Sequence, residues 1–367
     1  MPYGSVNADL MTTSDGVSSS GLYGFKNRII NGGMVIDQRN AGASVAANNV
    51  YSVDRWLAIS DTSNKWTVQQ NAGSVTPPAG FVNYLGCTSS SAYTPTSTDY
   101  FGPNQRIEGY NIADLNWGSA SASPITLSFW VRSSLTGSFG GSIQNSSQNR
   151  SYAFPYTISS ANTWEYKTVT IAGDTSGTWL TTNGVGFVVH FSLGAGSSRV
   201  GTASTWTGTS NVFAPTGSVN VVSTNGATFY ITGVQLEKGS TATSFDYRPF
   251  GTELLLCQRY CENIIASGTN PPLWSIQAGA STNARGGYFY KVQKRTSPSF
   301  TNLIGTSYIS QFASGNFAPS AVNLAASNPN GMLIDSVCTG LTAGQAGFQL
   351  EGTLTAGTII CLFTAEL

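Results

Sequence analysis

Short apolar runs recur along nearly the whole of this chain, each closed by a cluster of Gly, Ser, Asn or Thr. That rhythm is the feature that most constrains the fold. Runs this short do not sustain helices, whereas aromatic and β-branched residues between turn-forming clusters suit a pleated surface. Between residues 51 and 238 the candidates are 51–59, 65–70, 82–87, 105–111, 125–133, 152–158, 164–171, 186–193, 219–222 and 228–237. Their number and spacing predict an all-β chain built on a jelly-roll β-sandwich. Hydrophobic residues at 40% and aromatics at 11% of 367 residues supply a core, so the 41 glycines do not signal disorder.

Periodicity orients the clearest strands. In 125–132, Ile125, Leu127, Phe129 and Val131 share one face, and Thr126, Ser128, Trp130 and Arg132 share the other. In 186–193, Phe187, Val189, Phe191 and Leu193 point to the core, which sends Val188, His190 and Ser192 outward. The segment ITGVQLEKG alternates in the same way and closes the first β domain. A turn-rich linker follows, in which Pro249 offers no N–H and pushes Arg248 into an extended conformation. Gly251–Thr252 then opens a short helix carrying Leu254, Leu255, Leu256, Cys257, Tyr260 and Cys261. Beyond it, 288–292, 299–304, 308–312, 332–337, 347–354 and 359–363 return to β character. The expected organisation is an extended arm over 1–26, a jelly-roll domain over 27–248 and a small β-rich head over 249–367.

Charge excludes some partners. The 17 basic and 17 acidic residues cancel, and charged residues make up only 9% of the chain. Nothing here gathers the basic cluster that phosphate neutralisation requires, so no nucleic-acid partner is expected. No run approaches the ~18 apolar residues of a membrane-spanning helix. The first twenty residues, MPYGSVNADLMTTSDGVSSS, have neither the basic nor the apolar region of a secretory signal. Synthesis in a cytoplasm, with exit by lysis or assembly, is the expectation. Five cysteines in no framework spacing (Cys87, Cys257, Cys261, Cys338, Cys361) read as buried free thiols.

Two stretches resemble a known family. GFKNRIINGGMVIDQRN resembles the segment that opens many bacteriophage tail-fibre domains, and ITGVQLEKGSTATSFDYRPFGTELLLCQRY resembles the junction after them. The second carries a Q-L-E-x-G-S-x-A-T-x-F-x-x-R-P-x-G-x-E-L-x-L-C-Q-R-Y pattern. KRTSPSF, after LCQRY, resembles the C-terminal head of such fibres. QRIEGYNIADLNWG, PITLSFWVRSS, ANTWEYKTVTIAGDTSGTW and GVGFVVHFSLGAGS look like carbohydrate-binding-module-type jelly rolls. The resemblance implies a virion surface protein, commonly trimeric, whose N-terminal arm docks on a tail adaptor, nozzle or capsid protein. That role would fall to Pro2, Tyr3, Leu10, Met11, Leu22, Tyr23 and Phe25. No heptad run or tandem repeat supplies a shaft, which departs from long fibres.

Catalysis has little to draw on. His190 is the sole histidine and lies in VVHFSL, without a nucleophile elbow, and reads as a solvent-facing strand residue. Asp54, Glu108, Asp114, Glu165, Asp174, Glu237, Asp246 and Glu253 are scattered, and glycoside hydrolysis needs a pair roughly 5–10 Å apart. GSFGGS and SLGAGSS lack the strand–loop–Lys–helix context of a phosphate loop and read as turns. No cofactor or metal ligand set is expected. Sugars present flat C–H faces to aromatic rings and hydroxyls to polar side chains, so glycan contact is the binding chemistry these residues fit. Trp130 with Arg132, joined by His190, Tyr288 and Tyr290, are the candidates; an outward Trp130 also suits a subunit interface. Trp117, Trp164 and Trp179 read as core or turn packing.

Three function classes fit these readings: a short, non-enzymatic trimeric tail fibre that meets host glycan, a capsid-attached head fibre or decoration protein, and a free carbohydrate-binding module or glycan hydrolase. The fibre-like opening, the junction and the C-terminal motif agree with the first. The short length and missing shaft suit the second, which a flexible arm would anchor equally well. The third has no signal peptide, linker or catalytic unit behind it.

Overall fold

The computed structural model describes residues 25–367. The arm positions Pro2, Tyr3, Leu10, Met11, Leu22 and Tyr23 lie outside the described residues. The chain is all-β and divides into two compact units, the first ending at Phe250 and the second spanning Gly251–Glu366.

The first unit is a jelly-roll β-sandwich. One sheet has six strands in the order Val45–Ala46, Trp66–Gln70, Leu85–Ser89, Thr228–Lys238, Ile125–Ser133 and Glu165–Ile171. The other runs Trp206–Thr207, Ser151–Ile158, Gly137–Asn145, Val185–Phe191, Tyr100–Glu108, Leu57–Ser60 and Val50–Tyr51. Gly194–Ala195 pairs with Tyr100–Glu108 beside that path. Neighbours in both sheets are antiparallel, so each strand can put one face into the core. Ile125, Leu127, Phe129 and Val131 are fully buried, as are Phe187, Val189 and Phe191 from the opposite sheet. Phe129 meets Phe191 edge-on at 5.0 Å, which places the two faces in direct contact. Trp117 and Trp179 pack against Phe187 at 5.3 and 6.3 Å and belong to this core.

The GSFGGS stretch corrects its reading as a turn, for it lies inside the Gly137–Asn145 strand. Its glycines are there because their neighbours leave no room for a side chain: the adjacent strand crowds Gly141, and the covering segment crowds Gly140. A Cβ on Gly141 would fall 1.9 Å from the His190 carbonyl oxygen, and one on Gly140 would fall 2.4 Å from Pro215. Chain 196–219 crosses this outer face, with Val200–Gly201 pairing in parallel with Ala214–Pro215. Phe213 stacks on Tyr100 at 4.3 Å and stands over His190 at 5.2 Å. His190 is therefore 0% exposed, not solvent-facing. Alternation placed its side chain on the correct face of the strand; the covering segment removes that face from water.

The sandwich is closed by its own ends. The Asn27 side chain accepts from the Ile29 and Leu236 backbone N–H groups and donates to the Val234 carbonyl. Asn31 donates to the carbonyls of Ile36 and Asp54 and accepts from Ile36 N–H. Gln105 pairs twice with the Ile30 backbone at 2.8 Å. From the other end, Asp246 accepts from Lys26 and Asn27 N–H, and Arg248 donates to the Ile29 and Asn27 carbonyls. Phe25, expected in the arm, is exposed, with the Arg248 guanidinium 5.1 Å from its ring centre.

The second unit opens with the helix Phe250–Gln258, the single α-helix among the described residues. Cys261, expected on that helix, begins the strand Cys261–Ile265, which pairs with Ile359–Thr364 and then Ser299–Asn302. A seven-stranded sheet runs Gly315–Phe317, Ile309–Phe312, Ala346–Leu350, Pro272–Ala280, Asn283–Phe289, Gly331–Val337 and Ala321–Asn328. Trp274, Ile276, Ala284, Phe312, Ile334 and Phe363 form its core. All five cysteines are free and buried, and burial pushes the Cys87 and Cys361 thiols up.

Candidate functional site

The outer face of the six-stranded sheet carries a cleft of ≈ 760 Å³, inside the ~300–1,000 Å³ span of small-molecule sites. Its floor comes from two neighbouring strands. In their register Trp130 lies opposite Tyr166 and Ser128 opposite Thr168, so two aromatic rings and two hydroxyls share one face. The Trp130 and Tyr166 rings are 5.4 Å apart and inclined at 51°. Tyr166 is 44% exposed and Trp130 is half-buried.

The wall rises from two loops. Phe81, Phe245 and Tyr247 form an aromatic cluster, with centroids 5.0, 5.6 and 4.9 Å apart. Phe81 rests on Gly233, whose φ is +61° and where a Cβ would fall 2.5 Å from the Phe81 ring. The register of the Thr228–Lys238 strand shifts between Thr232 and Gln235 at this point. That bulge turns Gln235 and Glu237 toward the 239–248 loop. Glu237 accepts from the Thr243 backbone N–H at 2.9 Å and from its hydroxyl at 2.7 Å, while Gln235 accepts from Asp246 N–H. The Tyr247 hydroxyl donates to the Gly80 carbonyl at 3.0 Å, joining the two loops.

Aromatic, small and hydroxyl-bearing side chains line the cleft, and no charged residue does so among the described residues. Six of the eight carboxylates weighed above serve structure, and neither Glu108 nor Glu253 lines the cleft. Asp114 takes a two-point contact from Arg28, Asp174 one from Arg150, and Glu165 pairs with Lys167. Asp54 holds Gln38, and Asp246 and Glu237 fix loop backbone. Asp61 and Asp99 do interact; burial and then Asp99 raise the Asp61 carboxyl. Hydrogen-bonded carboxyls leave no room for a glycosidic bond between them, and neither lines the cleft.

Of the sequence candidates, Trp130 is the one placed in this cleft. Arg132 shares its face but donates to the Asn162 carbonyl at 3.0 Å and covers the Tyr230 ring at 5.5 Å. His190 belongs to the opposite sheet and is sealed. Tyr288 and Tyr290 are in the second unit, where both pack on Phe363 and the Tyr288 hydroxyl donates to Glu262 at 2.6 Å. Burial, followed by Glu262, pushes that hydroxyl up. Tyr166, Phe81, Phe245 and Tyr247 were missed. Alternation in EYKTVTI puts Tyr166 and Thr168 outward, whereas nothing local predicts that two loops meet over Gly233.

No protein-family model matches the chain, and no curated protein does. Among solved structures, it is similar to the enzymatically active domain of tailspike protein 4 of bacteriophage CBA120, at 13% identity and a TM-score of 0.32. That match covers 58% of this chain and 21% of the tailspike chain. A family 11 carbohydrate-binding module from Clostridium thermocellum, in complex with a β-1,3-1,4-mixed-linked tetrasaccharide, matches at 15% identity and a TM-score of 0.27, over 55% of this chain and 97% of the module. The CBM22-1 xylan-binding domain from Paenibacillus barcinonensis matches at 10% identity and a TM-score of 0.26, over 56% and 99%. Likenesses this distant carry no weight for the cleft, which is read from its own geometry.

Proposed function

We propose that this chain is a non-enzymatic glycan-binding surface protein of a bacteriophage virion, a short trimeric tail fibre attached through residues 1–26. The observation that carries the glycan reading is the cleft itself. Trp130 and Tyr166 offer ring faces to sugar C–H groups, with Thr168 and Thr243 beside them for sugar hydroxyls. The absence of a carboxylate among its described lining residues supports binding over hydrolysis. The virion reading is supported by the motif resemblances at 24–40 and 231–260. Several copies on one particle would turn weak single sites into firm attachment.

The test has two parts. Trp130→Ala should reduce binding of the purified protein to host cells about tenfold or more, in line with loss of a central aromatic contact, while leaving its unfolding midpoint in place. A soluble variant that binds as the parent does would remove the cleft from the account. Gold labelling of particles should place the protein on the tail; label on the capsid lattice would make it a head fibre, and unlabelled particles would refute the virion reading.

A further inference from the structure

We infer that the cleft takes a free, uncharged glycan chain and rejects glycans bearing uronic, sialic or other acidic sugars. This deepens the glycan reading above and rests on it. A carboxylate that leaves water for a cleft must find a cation or a set of convergent donors. Among the described residues no Lys, Arg or His lines the cleft. Of the cations on the two floor strands, Arg132 is committed to the Asn162 carbonyl and the Tyr230 ring, and Lys167 to Glu165. Behind the wall the electrostatics turn further against an anion, because the Glu237 carboxylate stands directly behind Thr243. Burial also raises the Tyr247 hydroxyl, so at neutral pH it remains an uncharged donor and acceptor.

The tilt of the floor narrows the class further. Rings inclined at 51° cannot lie together on one flat surface. A sheet-like crystalline polysaccharide would touch one ring and lose the other. A single chain can turn between them and lay successive sugar faces on Trp130 and Tyr166. The Phe81–Tyr247 wall then covers its side.

The test uses the full-length protein on an array that pairs acidic bacterial polysaccharides with their carboxyl-reduced forms. The reduced forms should bind at least about tenfold more tightly, the scale of leaving one charged group unpaired. That binding should be unchanged between low salt and roughly 0.5 M, since no charge pair is there to screen. It should vanish in Trp130→Ala, and Thr168→Lys should gain signal on the acidic forms. Acidic forms that bind as tightly as their reduced partners, through a signal that Trp130→Ala abolishes, would overturn the inference and leave the glycan site standing. Binding indifferent to Trp130→Ala, or none to any glycan, would overturn the cleft reading and the inference with it.

Discussion

Lowering the pH should destabilise the sandwich through one side chain, His190. It is 0% exposed, and neither ring nitrogen has a hydrogen-bond partner among the described residues. Its cross-strand neighbours, Asn104 and Ser142, are uncharged, and Phe213 covers it. Burial lowers its pKa from the ordinary 6.5 to about 3. The folded state then holds His190 neutral at pH 4.5, while the unfolded chain protonates it. Since the unfolded state binds the extra proton, stability is present above pH 6.5 and falls as the pH drops toward 3. At pH 4.5, two units below the ordinary value, the loss is about 3 kcal/mol at 1.36 kcal/mol per unit. Urea unfolding at pH 7.5 and 4.5 measures it, followed by tryptophan fluorescence, because seven of the eight tryptophans lie in the first unit. Wild type should lose about 3 kcal/mol more than His190→Leu on acidification. Each protein is compared with itself, so the cost of the substitution cancels. Equal losses in the two proteins would refute the reasoning and mean that His190 has a proton acceptor or reaches water.

The remaining expectations concern how each unit is held. In the second unit Lys294 and Glu262 form a fully buried pair at 2.6 Å, so Lys294→Met or Glu262→Leu alone should cost about 3–5 kcal/mol and the double variant much less; additive losses in a double-mutant cycle would refute the coupling. Gly141→Ala should destabilise the sandwich by at least about 1–3 kcal/mol through the His190 carbonyl. Gly208→Ala, with nothing within 4 Å of its Cβ, should stay within about 0.5 kcal/mol in the same thermal melts. Asn27→Ala strands two N–H groups and a carbonyl and should lower the unfolding free energy by about 1–3 kcal/mol or more, read as a lower urea midpoint; an unchanged midpoint would show the closing contacts to be dispensable.

Strand identity was legible in the sandwich strands that bury one face. Ile125 to Val131 and Phe187 to Phe191 alternate cleanly because each meets a core on one side only. PLWSIQAGA in the second unit carries the same signal, with Trp274, Ile276 and Ala278 inward, and is absent from the sequence candidates. What alternation cannot report is whether the other face is covered. The 196–219 cover has no periodic apolar pattern, so His190 and the glycines of GSFGGS were read as exposed strand and turn. The cleft failed for a related reason. Trp130 stood out as an aromatic ring on a polar face, but its partner Tyr166 is 36 residues away and paired only by register.

The two faces of the sandwich thus divide the work, and the polar residues of 24–40 and 231–260 serve its closure. Asn27, Asn31, Gln235, Glu237, Thr243 and Arg248 all sit in the quoted motifs, and all spend their hydrogen bonds on closing the unit or fixing the 239–248 loop. Phe245 belongs to the same pattern and packs on Phe81 as the base of the wall. Trp130 and Tyr166 lie in other quoted stretches, PITLSFWVRSS and ANTWEYKTVTIAGDTSGTW, and Tyr247 occupies a position the 231–260 pattern leaves open. The hydrogen-bonding residues of 24–40 and 231–260 thus build a frame on which the cleft rings are set. Tyr166 is 44% and Tyr247 60% exposed, so replacing either removes little buried area and costs little stability. It changes the surface offered to a ligand far more. A chain built this way can alter what it binds at Tyr166 and Tyr247 while Asn27, Gln235 and Arg248 keep the sandwich shut.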